Sequence, residues 1–236
     1  MNSFSLILEN LTSPMFIRGA GMTLLITFVS VFFGVIVGLI VALMQESKSR
    51  FFKSLVMSYL WLFRGTPVLF QIIFIYNVLP GIGITLSSVM CGIIALSLNE
   101  GAYMGEIMRS GLQAVGKGQR SAAAALGLKE WQVFKLVVIP QALRIIIPPI
   151  GNQCIGMLKL SALVSVVAVE ELLLVSNQAA SSNFRYFESL AAAGIYYLAF
   201  TTLFMLVQSR IELWAKDGRR GTRKRSFFEQ IIAKPV

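Results

Sequence analysis

The sequence predicts an all-α integral membrane protein with about five spanning helices, and three observations predict it. Hydrophobic residues make up 56% of the 236-residue chain and charged residues only 14%, with a mean hydropathy of +0.74. That balance belongs to membrane proteins rather than soluble domains. Charge-free apolar runs recur at the length needed to cross about 30 Å of hydrocarbon, about 20 residues each. Lys and Arg, finally, gather beside alternate ends of those runs.

Taken in order, residues 1–18 read as a short external lead with an amphipathic turn. A first span is expected over 19–44, inside the charge-free run from Gly19 to Gln45. A cleaved leader would have a basic start and an apolar core of about 7 to 15 residues. Here Glu9 precedes the run, Arg18 is its one basic neighbour and the run is far longer, so the span is expected to be retained. Within it "GVIVG", Gly34 to Gly38, is a small-xxx-small pattern suited to close helix packing.

"FFKSLVMSYLWLF", Phe51 to Phe63, suits the membrane interface before the chain turns inward at "RGTP". Pro67 lacks an N–H and fits the first turn of a helix, so a second span is expected over 65–80. Pro80, Gly81 and Gly83 end it. A third span over 87–108 carries "NEGAYMGEIMRSG", and 112–145 is the largest segment outside the membrane. A fourth span over 146–168 follows the pair Pro148 and Pro149. "VEELLLVSNQAASSNFRYF" is polar enough for an external loop with a short helix. A fifth span over 189–209 completes a membrane domain of 19–211, and 212–236 is a basic tail expected to be mobile.

Orientation follows from the basic residues. Lys48, Arg50, Lys53 and Arg64 follow the first span; Arg109, Lys117, Arg120, Lys129, Lys135 and Arg144 lie between the third and fourth; the tail holds another cluster. These mark the cytoplasmic side, so the N-terminus is expected outside and the C-terminus inside.

Several function classes fall away. The net charge of +10 is explained by topology and anionic lipid headgroups, and no nucleic-acid motif accompanies it. There is no His, which excludes His-based catalysis, and Cys91 and Cys154 both sit in apolar runs, so no metal site is expected. No G-x-x-x-x-G-K-[ST] phosphate loop occurs, so no nucleotide cofactor is expected on this chain.

Ionised side chains at mid-membrane cost about 2.5 to 3.5 kcal/mol each, which makes them candidates for function. Counting from the cytoplasmic ends, Glu100 lies about 12 Å deep and Lys159 about 15 Å deep. Two readings stay open: the pair neutralise each other, or they border an aqueous cavity and receive the ammonium and carboxylate of a zwitterion. Asn99, Tyr103 and Glu106 share a helix face that Glu100 flanks. Ser161 and Ser165 lie near Lys159 and either donate to a ligand or bond back to their own helix.

"SAAAALGLKEWQVFKLVVIP", Ser121 to Pro140, is helix-prone yet charged. Its alanines favour a helix that Gly127 stops. A second amphipathic helix then runs from Lys129 to Val138, where Pro140 is expected to end it. Two short helices joined at a glycine read as a docking element. This segment resembles the EAA loop of permease subunits in bacterial ATP-binding-cassette importers, E-A-A-x-x-x-G, nine residues, then I-x-L-P. Ala122, Ala123 and Gly127 match, Val137, Ile139 and Pro140 hold the final positions conservatively, and Ser121 replaces the Glu. "RGTPVLFQ", "NEGAYMGEIMRSGLQAV", "IPQALRIIIPPIGNQ" and "LKLSALVS" resemble, in order, landmarks of the polar amino acid branch over about residues 15–215.

The resemblance implies a type I importer fold in the bacterial inner membrane, with two permease subunits, identical or related. Each docks an ATPase that carries the ATP and Mg, and a periplasmic or tethered binding protein delivers an amino acid or amino acid derivative. It implies a mid-membrane substrate path near Asn99, Glu100, Tyr103, Lys159, Ser161 and Ser165. Leu160 stands where many relatives with basic substrates have a polar or acidic residue, which argues either for a neutral or unusual substrate or, in a heteromeric pair, for a binding site carried by the partner permease subunit. The rival expectation is an ATP-independent, ion-coupled carrier or channel.

Overall fold

The computed structural model describes the backbone of residues 2–232 and the side chains of residues 2–216. The described residues contain no strand. They form α1 (Ser3–Thr12), α2 (Pro14–Glu46), α3 (Arg50–Gly65), α4 (Val68–Val78), α5 (Ser88–Gln113), α6 (Lys117–Ala125), α7 (Glu130–Gln132), α8 (Ile139–Leu160), α9 (Leu172–Asn183) and α10 (Tyr186–Ile232). Met1 and residues 233–236, the end of the expected basic tail, lie outside the described part. The backbone of that tail continues α10 as far as Ile232.

Among the described residues, three helical stretches are long and apolar enough to cross a membrane: Pro14–Glu46, Glu130–Val167 and Tyr186–Lys216. A fourth arises if the pair Arg50–Gly65 and Val68–Ile82, bent by 103°, is taken as one. The expected third span is present as α5, but its polar face keeps it out of that class.

The bend has a local cause. Thr66 is extended (φ −120°, ψ 147°), the conformation a following proline favours, and Pro67 starts the next helix without an N–H to continue the last one. At the far end, Leu79–Ile82 tightens into a 3₁₀ turn and Gly83 adopts φ 84°, so the chain reverses into α5.

The amphipathic helix expected to end at Pro140 does not end there. Glu130–Val167 is one helical stretch of 38 residues, passing through Pro140, Pro148 and Pro149. Val133–Val138 is a π-helical turn, in which Ile139 N–H reaches back five residues to Phe134 O. The widened register falls just before the proline, so the helix absorbs the missing N–H instead of stopping. Gln141 Nε2 adds a bond to Val137 O at 3.0 Å.

The chain divides into two compact units, Met1–Glu106 with Gln153–Phe204, and Ile107–Asn152 with Met205–Val236. In the first unit α2 and α5 meet through glycines on both sides. A Cβ on Gly34 would fall 2.9 Å from Glu100 Cβ, and one on Gly38 only 2.5 Å from Met104 Cβ. Reciprocally, a Cβ on Gly101 would fall 2.5 Å from Val37 Cγ1, and one on Gly105 2.6 Å from Val41 Cγ1. A second cluster joins Phe16, Ala20, Leu172, Val175, Ala192 and Ala193, with α1 held against it by Tyr196 Oη donating to Leu11 O at 2.6 Å. Polar residues buried in α2 bond to their own helix: Thr23 Oγ1 donates to Gly19 O and Thr27 Oγ1 to Thr23 O. Thr23 also accepts from Leu172 N, next to Glu171, which caps α9 by accepting from Leu173 N and Leu174 N.

In the second unit α6 packs against the π turn, burying Ala123, Val133 and Val138. α6 ends in a Schellman motif, with Leu128 N donating to Ala123 O and Gly127 N to Ala124 O. Gly127 supplies the left-handed residue at φ 79°.

Candidate functional site

A cavity of about 290 Å³ lies within the first unit, between the α3–α4 bend, α5 and the second half of α8. Its wall includes Thr66, Asn99, Glu100, Tyr103 and Gln153 as polar groups, with Met157 and Leu160 among its apolar ones.

The bend edge is held by a side-chain amide network. Gln71 Nε2 donates to Phe63 O (3.0 Å), Thr66 O (3.1 Å) and Thr66 Oγ1 (2.9 Å). Asn99 Nδ2 donates to Phe63 O at 2.9 Å and to Gln71 Oε1 at 3.1 Å. Two carbonyls that the broken helix leaves without N–H donors thus find side-chain partners, as buried backbone acceptors require. Tyr59 Oη, donating to Leu98 O, ties α3 to α5 beside them.

Glu100 is only 2% exposed. Its stem lies against Gly34, where any larger residue would displace it, and Gln153 lines the same cavity wall. The Glu100 Oε1 has no hydrogen-bond partner. A buried carboxylate oxygen in this state is costly unless a donor arrives, and the cavity is where one can arrive. At the mouth, Tyr103 is 39% exposed and Arg64 covers its ring, with 5.6 Å from guanidinium to centroid. Arg64 also pairs with Glu106 at 4.0 Å.

Of the residues expected on the substrate path, Asn99, Glu100 and Tyr103 come together on this wall. Lys159 does not: it is exposed, makes no ion pair with Glu100, and lies outside the lining. The reason is helical phase, since Gly156, Met157 and Leu160 take the cavity face of α8 and Lys159 projects to one side of that arc. Ser161 is fully buried and its Oγ donates to Leu158 O at 2.8 Å; Ser165 is half-buried, outside the wall. Gln71 and Gln153 were not expected. The signal was their position on otherwise apolar helices, the same one that picked out Asn99.

In the coupling segment, Ser121 and Ala122 are exposed and Ala123 is buried. Gly127 makes the turn, Val137 and Ile139 are half-buried, and Pro140 is exposed. Around them Leu126, Trp131, Phe134 and Leu136 project apolar surface, Leu126 being 83% exposed. Among the described residues no group of three or more His, Cys, Asp or Glu side chains could hold a metal ion.

Residues 34–216 match the family model for the binding-protein-dependent transport system inner membrane component. The chain belongs to this family. It is accordingly a multi-pass protein of the inner membrane and a transport subunit of an ABC importer rather than an enzyme. It is 36% identical to a probable amino-acid ABC transporter permease protein, YckA, of Bacillus subtilis, over 84% of this chain and 88% of that one. Identity to the arginine transport system permease protein ArtQ of the same organism is 34%, over 87% and 94% of the two chains. The glutamine transport system permease protein GlnP of Escherichia coli is 32% identical, over 84% and 92%. Among solved structures, an amino acid ABC transporter crystallised with histidines superposes with a TM-score of 0.83 at 38% identity, covering 90% of this chain and 98% of that one. The methionine transporter MetNI shares the fold, with a TM-score of 0.71 at 20% identity, covering 85% and 96%. The family implies an ATPase and a binding protein as partners.

Proposed function

We propose that this permease carries amino acids or amino acid derivatives inward along a path that includes the cavity of the first unit, driven by ATP hydrolysed on a partner chain. The single observation that carries the path is Glu100, buried on the cavity wall with one carboxylate oxygen unpartnered. A primary ammonium offers the donors that oxygen lacks. The names of the relatives support the substrate class.

Asn99 and Tyr103 flank Glu100, Asn99 with its amide nitrogen committed to the bend and its carbonyl oxygen available. The substrate's carboxylate is left to hydrogen-bond donors on the wall, because Lys159 is outside it. Coupling runs through Ser121–Pro140. The ATPase grips the apolar surface around Gly127, and its closure moves α6 with the start of the α7–α8 stretch. α5 and α8 each contribute residues to both units and carry the movement toward the cavity. Alternating access requires this grip to differ in free energy between the two states, since a contact equal in both shifts nothing.

The partners are two ATPase subunits, a second permease subunit and a periplasmic or tethered binding protein. The test is uptake into proteoliposomes that hold the assembled importer, with ATP inside and the binding protein outside. Uptake of radiolabelled amino acid is expected only with ATP. Gly127→Glu forces a side chain into a left-handed backbone and puts charge on the grip, so the ATPase is expected to be lost on purification while membrane insertion persists. Full ATP-driven uptake by Gly127→Glu would overturn the coupling assignment.

A further inference from the structure

The second unit holds another cavity, of about 260 Å³, which the transport reading does not use. Its wall takes Arg144, Ile145, Pro148 and Pro149 from α8 and Glu212 and Lys216 from α10. Prolines at 148 and 149 carry no N–H, so neither can donate to the carbonyls of Arg144 and Ile145 four residues earlier. Those acceptors therefore lie on the same helical turn that supplies a cation. The Arg144 guanidinium lies over the Trp214 ring, 5.7 Å from its centroid, a cation–π contact that holds it beside α10.

Glu212 is already tied down. Its Oε1 accepts from Gln208 Nε2 at 3.2 Å, and the same nitrogen donates to Pro148 O at 2.8 Å. Two cations, one tethered carboxylate and backbone acceptors thus surround a hollow whose remaining wall is apolar. The charge-free run of residues 189–209 in α10 gives way to Arg210, Glu212 and Lys216, so the cavity lies where a spanning helix meets its basic flank, the level at which Trp is favoured in membrane proteins. In sequence Arg219, Arg220, Arg223, Lys224 and Arg225 follow directly, and such clusters attract anionic lipid.

We propose that this cavity binds the headgroup of an anionic phospholipid. The phosphodiester meets Arg144 and Lys216, and a headgroup hydroxyl donates to the carbonyls freed by the two prolines. Ile145 and the proline rings accept the glycerol and the start of the acyl chains, a surface that free phosphate would leave uncovered.

The test titrates the purified permease–ATPase complex with phosphatidylglycerol, phosphatidylcholine or inorganic phosphate, and reads retained lipid by native mass spectrometry. Phosphatidylglycerol is expected to be retained several-fold over phosphatidylcholine, and millimolar phosphate is expected to leave that ratio unchanged. In the double variant Arg144→Gln with Lys216→Gln the ratio is expected to fall to unity, whereas Arg144→Lys keeps a preference. Equal retention of the two lipids by the wild-type complex overturns the proposal, whether or not the variants assemble. A preference that survives the double variant overturns it as well. Displacement of phosphatidylglycerol by inorganic phosphate makes the site one for free anions, and loss of the ATPase with lipid retention unchanged makes it a protein contact; either result also overturns the proposal.

Discussion

At the scale of single residues the cavity turns on Glu100 and the groups that hold it. Gly34 sits under its stem, Gln153 shares its cavity wall, and the Glu100 Oε1 is buried without a partner. Replacing Glu100 by Gln keeps the shape but removes the carboxylate proposed to receive an ammonium. Uptake is expected to fall to background while the ATPase still copurifies; normal uptake would make Glu100 a structural residue. Asn99→Ala acts differently, because it strips Gln71 Oε1 of the amide that donates to it and leaves Phe63 O with one of its two donors at the α3–α4 bend. A buried group stripped of its partner costs about 1–3 kcal/mol, and the melting temperature of the purified complex is expected to drop accordingly. Asn99, Glu100 and Tyr103 were legible in the sequence because polar residues on a spanning helix must face something polar. That Glu100 shares its cavity wall with Gln153 rather than Lys159 was not, since it depends on the phase of α8, which a proline-containing helix does not reveal.

At the scale of elements, the lesson lies in how prolines act. Pro67 breaks the chain as the sequence suggested, because the residue before it turns extended and a buried amide network stabilises the broken ends. Pro140 does not, because a π turn upstream takes up the missing bond. The two prolines have the same local chemistry, and what separates them is tertiary context that no local pattern encodes. Helix pairing was half legible: Gly34 and Gly38 announced a close approach, but their partners Gly101 and Gly105 lie in a segment whose charges drew attention elsewhere. The reciprocal arrangement predicts that Gly38→Leu is more damaging than a lipid-facing substitution. Its Cβ alone would lie 2.5 Å from Met104 Cβ and 2.8 Å from Gly105 N, so the helices must separate. Overpacking of this kind costs about 1–3 kcal/mol or more. The expected result is a lowered melting temperature, read by size-exclusion of heated samples, with Gly21→Leu, which has nothing within 4 Å of its Cβ, as the tolerated control. Equal melting of the two variants would remove the close-packing argument.

At the scale of the whole molecule, the number of crossings depends on α4 and α5. Val68–Ile82 has 15 residues, about 22 Å at 1.5 Å each, short of a hydrocarbon core of about 30 Å. α5 is long enough but carries Asn99, Glu100 and Glu106. If both cross, the chain has five spans; if both turn back as a re-entrant pair, it has three. A four-span chain, with the bent pair crossing and α5 not, would set the Gly127 turn opposite Lys48, against the basic-residue pattern; five and three spans both set them on one side and the termini on opposite sides, so that pattern cannot tell these two apart. The turn between α4 and α5 can. With five spans it emerges on the side of α1 and of the α9–α10 connection; with three it stays within the membrane or returns. We expect five, because the polar face of α5 is covered by Gly34, Gln71 and Gln153 within its own unit and need not meet lipid. Single cysteines at the exposed positions Ser5, Thr85, Ser181, Lys48 and Lys129, in a background with Cys91 and Cys154 replaced, separate the cases by labelling with a membrane-impermeant thiol reagent. In intact cells with a permeable outer boundary, Ser5→Cys, Thr85→Cys and Ser181→Cys are expected to react, and Lys48→Cys and Lys129→Cys only after the inner membrane is opened. Protection of Thr85→Cys with the other four unchanged would establish the three-span arrangement. Reaction of Lys129→Cys in intact cells would reverse the orientation and remove the docking surface from the side where ATP is found.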